Sequence, residues 1–416
     1  MTYVIQGNYP LEGTIKINGS KNASLSIIVG AILAKDIVVL KNIPNISDVH
    51  DLIETLTYLN CKVNYDGYTL TIDSTQIVYK PLYIPTVKKL RASYYFMGAM
   101  LCLFQKAEIY KPGGCDFGSR PIDIHLNGFE KMNVEVLEKE DKVMLSAKEK
   151  IKPCKLNLSF PSVGATINLI LASLKIKGVT IINNVAKEPE IDDFIDFLNK
   201  MGAQIDKKLD SIIIKGSLNL HGCEYTIMSD RIECGTYLIY AAALAKKVKL
   251  TNMISSIIQS LISIFKQIGV KMDVKENEVT IYESKQIHPI KVITGPYPDF
   301  PTDLQQILSV LLLKANGDSV IIDTIYEKRL SHIEELKKMN AQINIVDKNV
   351  IISKSDNLIP ELVYCKDLRG GAGLLLACLM TKGISTLKNT HLIERGYQNI
   401  VECLTNIGAK IERRED

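Results

Sequence analysis

One short phrase occurs six times in this chain: an apolar helix end, then Gly or Asn, then an alternating strand. The copies read "YLNCKV", "KMNVEV", "KMGAQI", "QIGVKM", "KMNAQI" and "NIGAKI". Their landmark residues are Asn60, Asn133, Gly202, Gly269, Asn340 and Gly408, spaced by 73, 69, 67, 71 and 68 residues by subtraction. Gly and Asn tolerate the left-handed conformation just past a helix C-terminus, so each landmark predicts a helix end followed by a strand. A period of this size restricts the chain to folds built from six similar α/β units.

The first copy shows the unit in full. Strand-like "GTIKING" (Gly13–Gly19) leads into the apolar run Asn22–Ala34, then strand Ile37–Asn42, helix Ser47–Leu59 and the hairpin "KVNYDGYTLTI". Asp66-Gly67 supplies its turn. The first helix of each unit is apolar nearly all round and is predicted buried; the second keeps a polar face. The last unit runs out of chain after "IGAKIERRED", while "TYVI" (Thr2–Ile5) is a strand without a unit. Pairing the two repairs the count. It predicts one pseudo-threefold domain over residues 20–229 and a second, discontinuous one from 1–19 and 230–416, with a ligand cleft between them. A chain of 416 residues is long enough for two cores.

Composition excludes several functions. A net charge of +4 is too mild for a nucleic-acid footprint, and no apolar run reaches the ~18 residues that span a bilayer. "MTYVIQGNYP" lacks the regions of a secretory signal. Nine scattered cysteines, with no C-x-x-C pair and no zinc spacing, suit reduced thiols in the cytoplasm and no metal site. The oligomeric state is not legible. No Rossmann or Walker glycine loop is present.

Arginine placement points to anions. Eight of the 50 basic residues are arginine, and Arg413 and Arg414 lie in the tail. Arg91, Arg231 and Arg369 precede their landmarks by 42, 38 and 39 residues, and Lys21 precedes its own by 39, at the start of the buried helix. Arg120, Arg329 and Arg395 precede theirs by 13, 11 and 13, at the start of the second helix. Helix starts offer free N–H groups and a positive dipole end, and guanidinium adds a fork that fits phosphate and carboxylate. Each arginine alone reads better as an ordinary salt bridge. The set predicts a multiply charged ligand, with Arg231 carrying less weight.

Two residues could do chemistry. Cys115 lies in "KPGGCDFGSR" among glycines and beside cations, which lower a thiol's pKa; this longer segment suits a mobile lid. Asp303, in "FPTDLQQ", reads alone as a helix-capping carboxylate, and as a general base if it faces the anion cluster. His125, in "DIHL", is the one histidine near a proposed site and is given no role.

Seven stretches in order resemble the UDP-N-acetylglucosamine 1-carboxyvinyltransferase family of enolpyruvyl transferases: "GSKNA", "LRAS", "PGGCDFGSRPIDIHL", "SVGATIN", "FPTDLQ", "DLRGGAGL" and "ERGY". The resemblance spans essentially the whole chain. It implies an α/β fold, a two-domain inside-out α/β barrel of six βαβαββ-type repeats, three per domain. It implies transfer of the enolpyruvyl group of phosphoenolpyruvate to the 3-hydroxyl of UDP-N-acetylglucosamine through a tetrahedral ketal, opening peptidoglycan precursor synthesis, with no cofactor. Carried over by motif, Cys115 becomes the proton donor and a target of fosfomycin, and Asp303 the base. Lys21, Asn22, Arg120, Arg329, Arg369 and Arg395 bind phosphoenolpyruvate. Arg91, Arg120, Pro121, Ile122, Asp123, Ile124, Ser162, Val163, Gly164, Asp303 and Ile325 hold the UDP-sugar. Phe160 stands where some members carry lysine, and Lys328 where asparagine is common. The shikimate 3-phosphate transferases share the fold but lack the cysteine loop; a silent UDP-sugar-binding paralogue is the other alternative.

Overall fold

The computed structural model describes residues 1–111, 113, 122–216, 219–326 and 328–415. Among the described residues the chain divides into two compact units, one within 19–228 and the other made of 1–18 and 229–415. Each has its own continuous apolar core.

Six helices make the centres of these cores. They are α1 (Lys21–Ala31), α2 (Tyr95–Phe104) and α3 (Val163–Ser173) in the first unit, and α4 (Arg231–Leu244), α5 (Thr302–Leu312) and α6 (Leu368–Met380) in the second. Their buried residues fall on every side, as helices without a polar stripe require. Within each unit they pack against one another. Where α2 meets α3, Gly98 donates its N–H to Asn168 Oδ1 at 2.9 Å. A Cβ at Gly98 would lie 2.3 Å from the Asn168 carbonyl oxygen, so only glycine permits this approach. The amphipathic second helices, such as Ser47–Tyr58 and Pro189–Lys200, bury one face only.

Each unit carries three small sheets, five of the six four-stranded among the described residues. The recurring order is entering strand, second strand, and the two hairpin strands. In the sixth sheet the N-terminal strand Thr2–Gly7 fills the missing place, antiparallel to Lys410–Arg414 on one side and Gly383–Lys388 on the other. The entering strands of the first and fourth repeats are exchanged relative to chain order. Leu11–Lys16 runs parallel to Ala245–Thr251, and Ile37–Lys41 takes Glu224–Thr226 instead.

All six landmarks have positive φ, from 65° at Asn340 to 109° at Gly408. The choice between Asn and Gly also has a reason. Asn60, Asn133 and Asn340 each donate their amide to a carbonyl further along the chain, that of Gln76, Lys150 and Asn357, at 2.9, 3.0 and 3.1 Å. No helix of the described residues is long and apolar enough to cross a membrane.

Candidate active site

In the unit of residues 229–416, capping fixes where charge is presented. Asp230 accepts from Ile232 and Glu233 N–H groups and starts α4 at Arg231. Asp367 accepts from Arg369 and Gly370 N–H at 3.0 and 2.8 Å and starts α6. Its second oxygen accepts from Gln306 Nε2 at 3.3 Å and from the Ser331 hydroxyl. Four such hydrogen bonds hold this nearly inaccessible carboxylate rigidly.

Asp303 does not cap its helix. Pro301 occupies the cap position, and the Asp303 carboxylate in the first turn of α5 turns to guanidinium instead. Arg329 Nη2 donates to Asp303 Oδ1 at 2.6 Å, and Arg369 Nε lies 3.7 Å from the same oxygen. The arginine side chains are only 5% and 4% exposed, whereas Asp303 keeps 29%, so the carboxylate is the accessible member. Burial alone would raise its pKa. The charges of Arg329 and Arg369, the Arg329 hydrogen bond and the charge of Arg231 overcome that and hold it far below the usual carboxylate range. Asp303 is therefore an ionised acceptor, weakly basic while its guanidinium partners stay in place. Arg369 also stacks over Tyr397, 5.0 Å to the ring centroid, and the Tyr397 hydroxyl meets Thr236 Oγ1 at 2.8 Å.

Arg395 departs from the sequence expectation. It follows the short helix His391–Glu394 rather than starting one, because Asn399 adopts φ 51° before Ile400–Thr405 begins. Its neighbour Glu394 accepts from Tyr3 OH at 2.9 Å and pairs with Arg413 at 3.2 Å. Arg413, read as tail, thus helps to fix the Arg395 turn. Ile325 is half-buried in a loop held by Asp323.

In the unit of residues 19–228, Ser20 caps α1 and places Lys21 first in the helix, with Asn22 beside it and partly accessible. Lys21 Nζ pairs with Asp48, 2.7 Å away and almost wholly buried. Arg91 opens a turn of 3₁₀ helix before α2 and lies over Tyr94, 5.3 Å to the centroid. Ser162 caps α3, its hydroxyl accepting from Ala165 N–H at 3.3 Å, so that Val163 and Gly164 lead the helix. Ile122 is buried, Asp123 exposed and Ile124 half-buried. His125 binds Asn168 through Nδ1 at 2.9 Å, and burial together with the Arg91 charge pushes its pKa down to about 3. A neutral ring thus stands next to Arg91. A Cβ on Gly164 would meet that ring at 2.9 Å, which explains the glycine.

Cys115, Arg120 and Pro121 lie outside the described residues. Sequence reading missed Asp48, Tyr94 and Asp323, which carry no local motif, gave no role to Thr302 and Tyr397 inside "FPTDLQ" and "ERGY", and undervalued Arg231 and His125. Helix-start position was signal enough for Arg231.

A sequence profile of the family described as EPSP synthase (3-phosphoshikimate 1-carboxyvinyltransferase) matches residues 5–404. The chain belongs to this family. It is 44% identical over 99% of its length, and 97% of the relative's, to a protein of Listeria monocytogenes serovar 1/2a named UDP-N-acetylglucosamine 1-carboxyvinyltransferase 2. A protein of the same name from Latilactobacillus sakei is 43% identical over 99% of each chain. Among solved structures, the enolpyruvyl transferase NikO from Streptomyces tendae superposes with a TM-score of 0.90 at 24% identity, covering 99% of this chain and 98% of that one. At that identity the likeness speaks for the fold: the two-domain enolpyruvyl transferase architecture.

Proposed function

We propose that this protein transfers the enolpyruvyl group of phosphoenolpyruvate to the 3-hydroxyl of UDP-N-acetylglucosamine and releases phosphate. The observation that carries the reading is Asp303, an accessible carboxylate kept ionised by Arg369 in the first turn of α6 and by Arg329 just before the helix Ser331–Lys338. Full-length relatives bearing that activity in their name support it.

The chemistry needs three things from the chain. Phosphate and carboxylate must be neutralised; Lys21, Asn22, Arg120, Arg329, Arg369 and Arg395 serve phosphoenolpyruvate. The diphosphate and uridine must be held by Arg91, Arg120, Pro121, Ile122, Asp123, Ile124, Ser162, Val163, Gly164 and Ile325. Protons must move. Asp303 accepts the proton of the sugar 3-hydroxyl while the hydroxyl oxygen bonds to C2 of phosphoenolpyruvate, and Cys115 delivers a proton to C3. The tetrahedral ketal then returns a proton from C3 to the Cys115 thiolate and expels the phosphate from C2, which restores the double bond. An anionic substrate that draws Arg329 and Arg369 toward itself raises the basicity of Asp303, so base strength rises with substrate bound.

This product belongs to peptidoglycan precursor synthesis in the cytoplasm. Phosphate release from phosphoenolpyruvate tests the reading. Release that depends on UDP-N-acetylglucosamine is expected. Release with shikimate 3-phosphate alone would reassign the acceptor, and none with either acceptor would make the protein a binder. Fosfomycin should add one adduct, removed by Cys115→Ser, by intact mass.

A further inference from the structure

Behind Asp303 stands a second carboxylate that the transfer chemistry does not use. Asp323 is 6% exposed and ends the strand Ser319–Ile322. Its Oδ1 accepts three hydrogen bonds: from Thr294 Oγ1 at 2.8 Å, Ile325 N–H at 2.9 Å and Tyr326 N–H at 3.1 Å. Its Oδ2 accepts from Thr302 Oγ1 at 2.6 Å. A hydroxyl has one proton. With that proton committed to Asp323, Thr302 Oγ1 turns its lone pairs outward and accepts from Arg329 Nη1 at 3.2 Å. Arg329 in turn donates to Asp303 through Nη2 at 2.6 Å. The polar sequence Asp303–Arg329–Thr302–Asp323 therefore has a fixed direction, each of its three links having one defined donor and one defined acceptor.

We propose that Asp323 is a positioning residue with two arms. One arm, through the Thr302 hydroxyl, sets the orientation of the Arg329 guanidinium that tunes Asp303. The other, through the Ile325 and Tyr326 amides, shapes the loop assigned to the sugar nucleotide. The inference rests on the proposed function and assigns to one residue a joint control of acceptor binding and base strength. Both arms are short and buried at the Asp323 end, so neither has slack to compensate for the loss of the other.

Substitutions separate the arms. Thr302→Val keeps shape and deletes the hydroxyl; Thr302→Ser keeps the hydroxyl; Asp323→Asn keeps shape and turns one acceptor into a donor. Steady-state phosphate release is measured against UDP-N-acetylglucosamine and phosphoenolpyruvate, with thermal unfolding as control. Thr302→Val should lower kcat about tenfold with the UDP-sugar KM within about twofold, and Thr302→Ser should stay within about twofold throughout. Asp323→Asn should lower kcat similarly and raise the UDP-sugar KM about tenfold. If Asp323→Asn does not fold, the Thr302 pair carries the test. Wild-type kcat in Thr302→Val, or equal losses in Thr302→Val and Thr302→Ser, overturns the relay. Wild-type protein inactive with UDP-N-acetylglucosamine overturns the proposed function, and this inference with it.

Discussion

In the unit of residues 229–416, Arg329 and Arg369 crowd one carboxylate, and Arg231 adds its charge to the same group. In the unit of residues 19–228, equivalent helix starts are electrically quieter. Lys21 is matched with the buried Asp48, Arg91 lies on an aromatic face beside a neutral histidine, and Ser162, Val163 and Gly164 offer helix-start amides and a hydroxyl. One repeat has thus yielded two kinds of anion chemistry. A carboxylate whose ionisation is enforced by cations suits proton transfer, where a charge must be poised. Arg91 together with neutral donors at capped helix starts suits the holding of a diphosphate.

The comparison breaks most readily at Asp303. If proton transfer resides in the arginine-crowded unit, Asp303→Asn should lower kcat by about 10³-fold in the phosphate-release assay, leaving folding intact. A loss under tenfold would move the base elsewhere. In the quieter unit the corresponding deletion should be mainly structural. Lys21→Met takes the cation from Asp48, whose side chain is 3% exposed, and should cost about 3 kcal/mol in denaturant unfolding as well as phosphoenolpyruvate binding. A stable Lys21→Met protein would show that Asp48 finds other partners.

Glu233 sharpens the contrast, because it is a buried carboxylate that cations do not hold ionised. Burial and Asp230 push its pKa up to about 8, against the two Asn18 hydrogen bonds and the Arg369 charge. Its folded pKa lies above its ordinary value of 4.5, so the folded state holds the proton more tightly. Its contribution to stability is complete below about pH 4.5 and is lost as pH rises toward about 8. Glu233→Gln should remove that slope from stability measured across the window. An unchanged slope would assign it to other groups.

Gly164→Ala presses a methyl on the His125 ring and should destabilise by about 1 kcal/mol while raising the UDP-sugar KM, with phosphoenolpyruvate binding unaffected. The smallest effect lies at a landmark turn. Asn340→Gly keeps the left-handed turn but loses the amide bond to Asn357, and should cost about 0.5 kcal/mol by thermal unfolding.

Much of this molecule was legible before any coordinates. The left-handed landmarks, the buried first helices and the pairing of "TYVI" with the C-terminus follow from backbone sterics, periodicity and strand counting, which act over a few residues or repeat many times. The sequence by itself also determined where cations sit along the chain, since caps such as Ser20, Asp230 and Asp367 fix helix starts locally. Partners were a different matter. That Asp303 would leave its own helix start for Arg329 and Arg369, that Asp48 would take Lys21, and that Asp323 would gather Thr294, Thr302 and two loop amides were decided only by the tertiary structure. These groups come from separated segments, and Coulomb and hydrogen-bond energies fall off over a few ångströms, so only folding can say which charges meet.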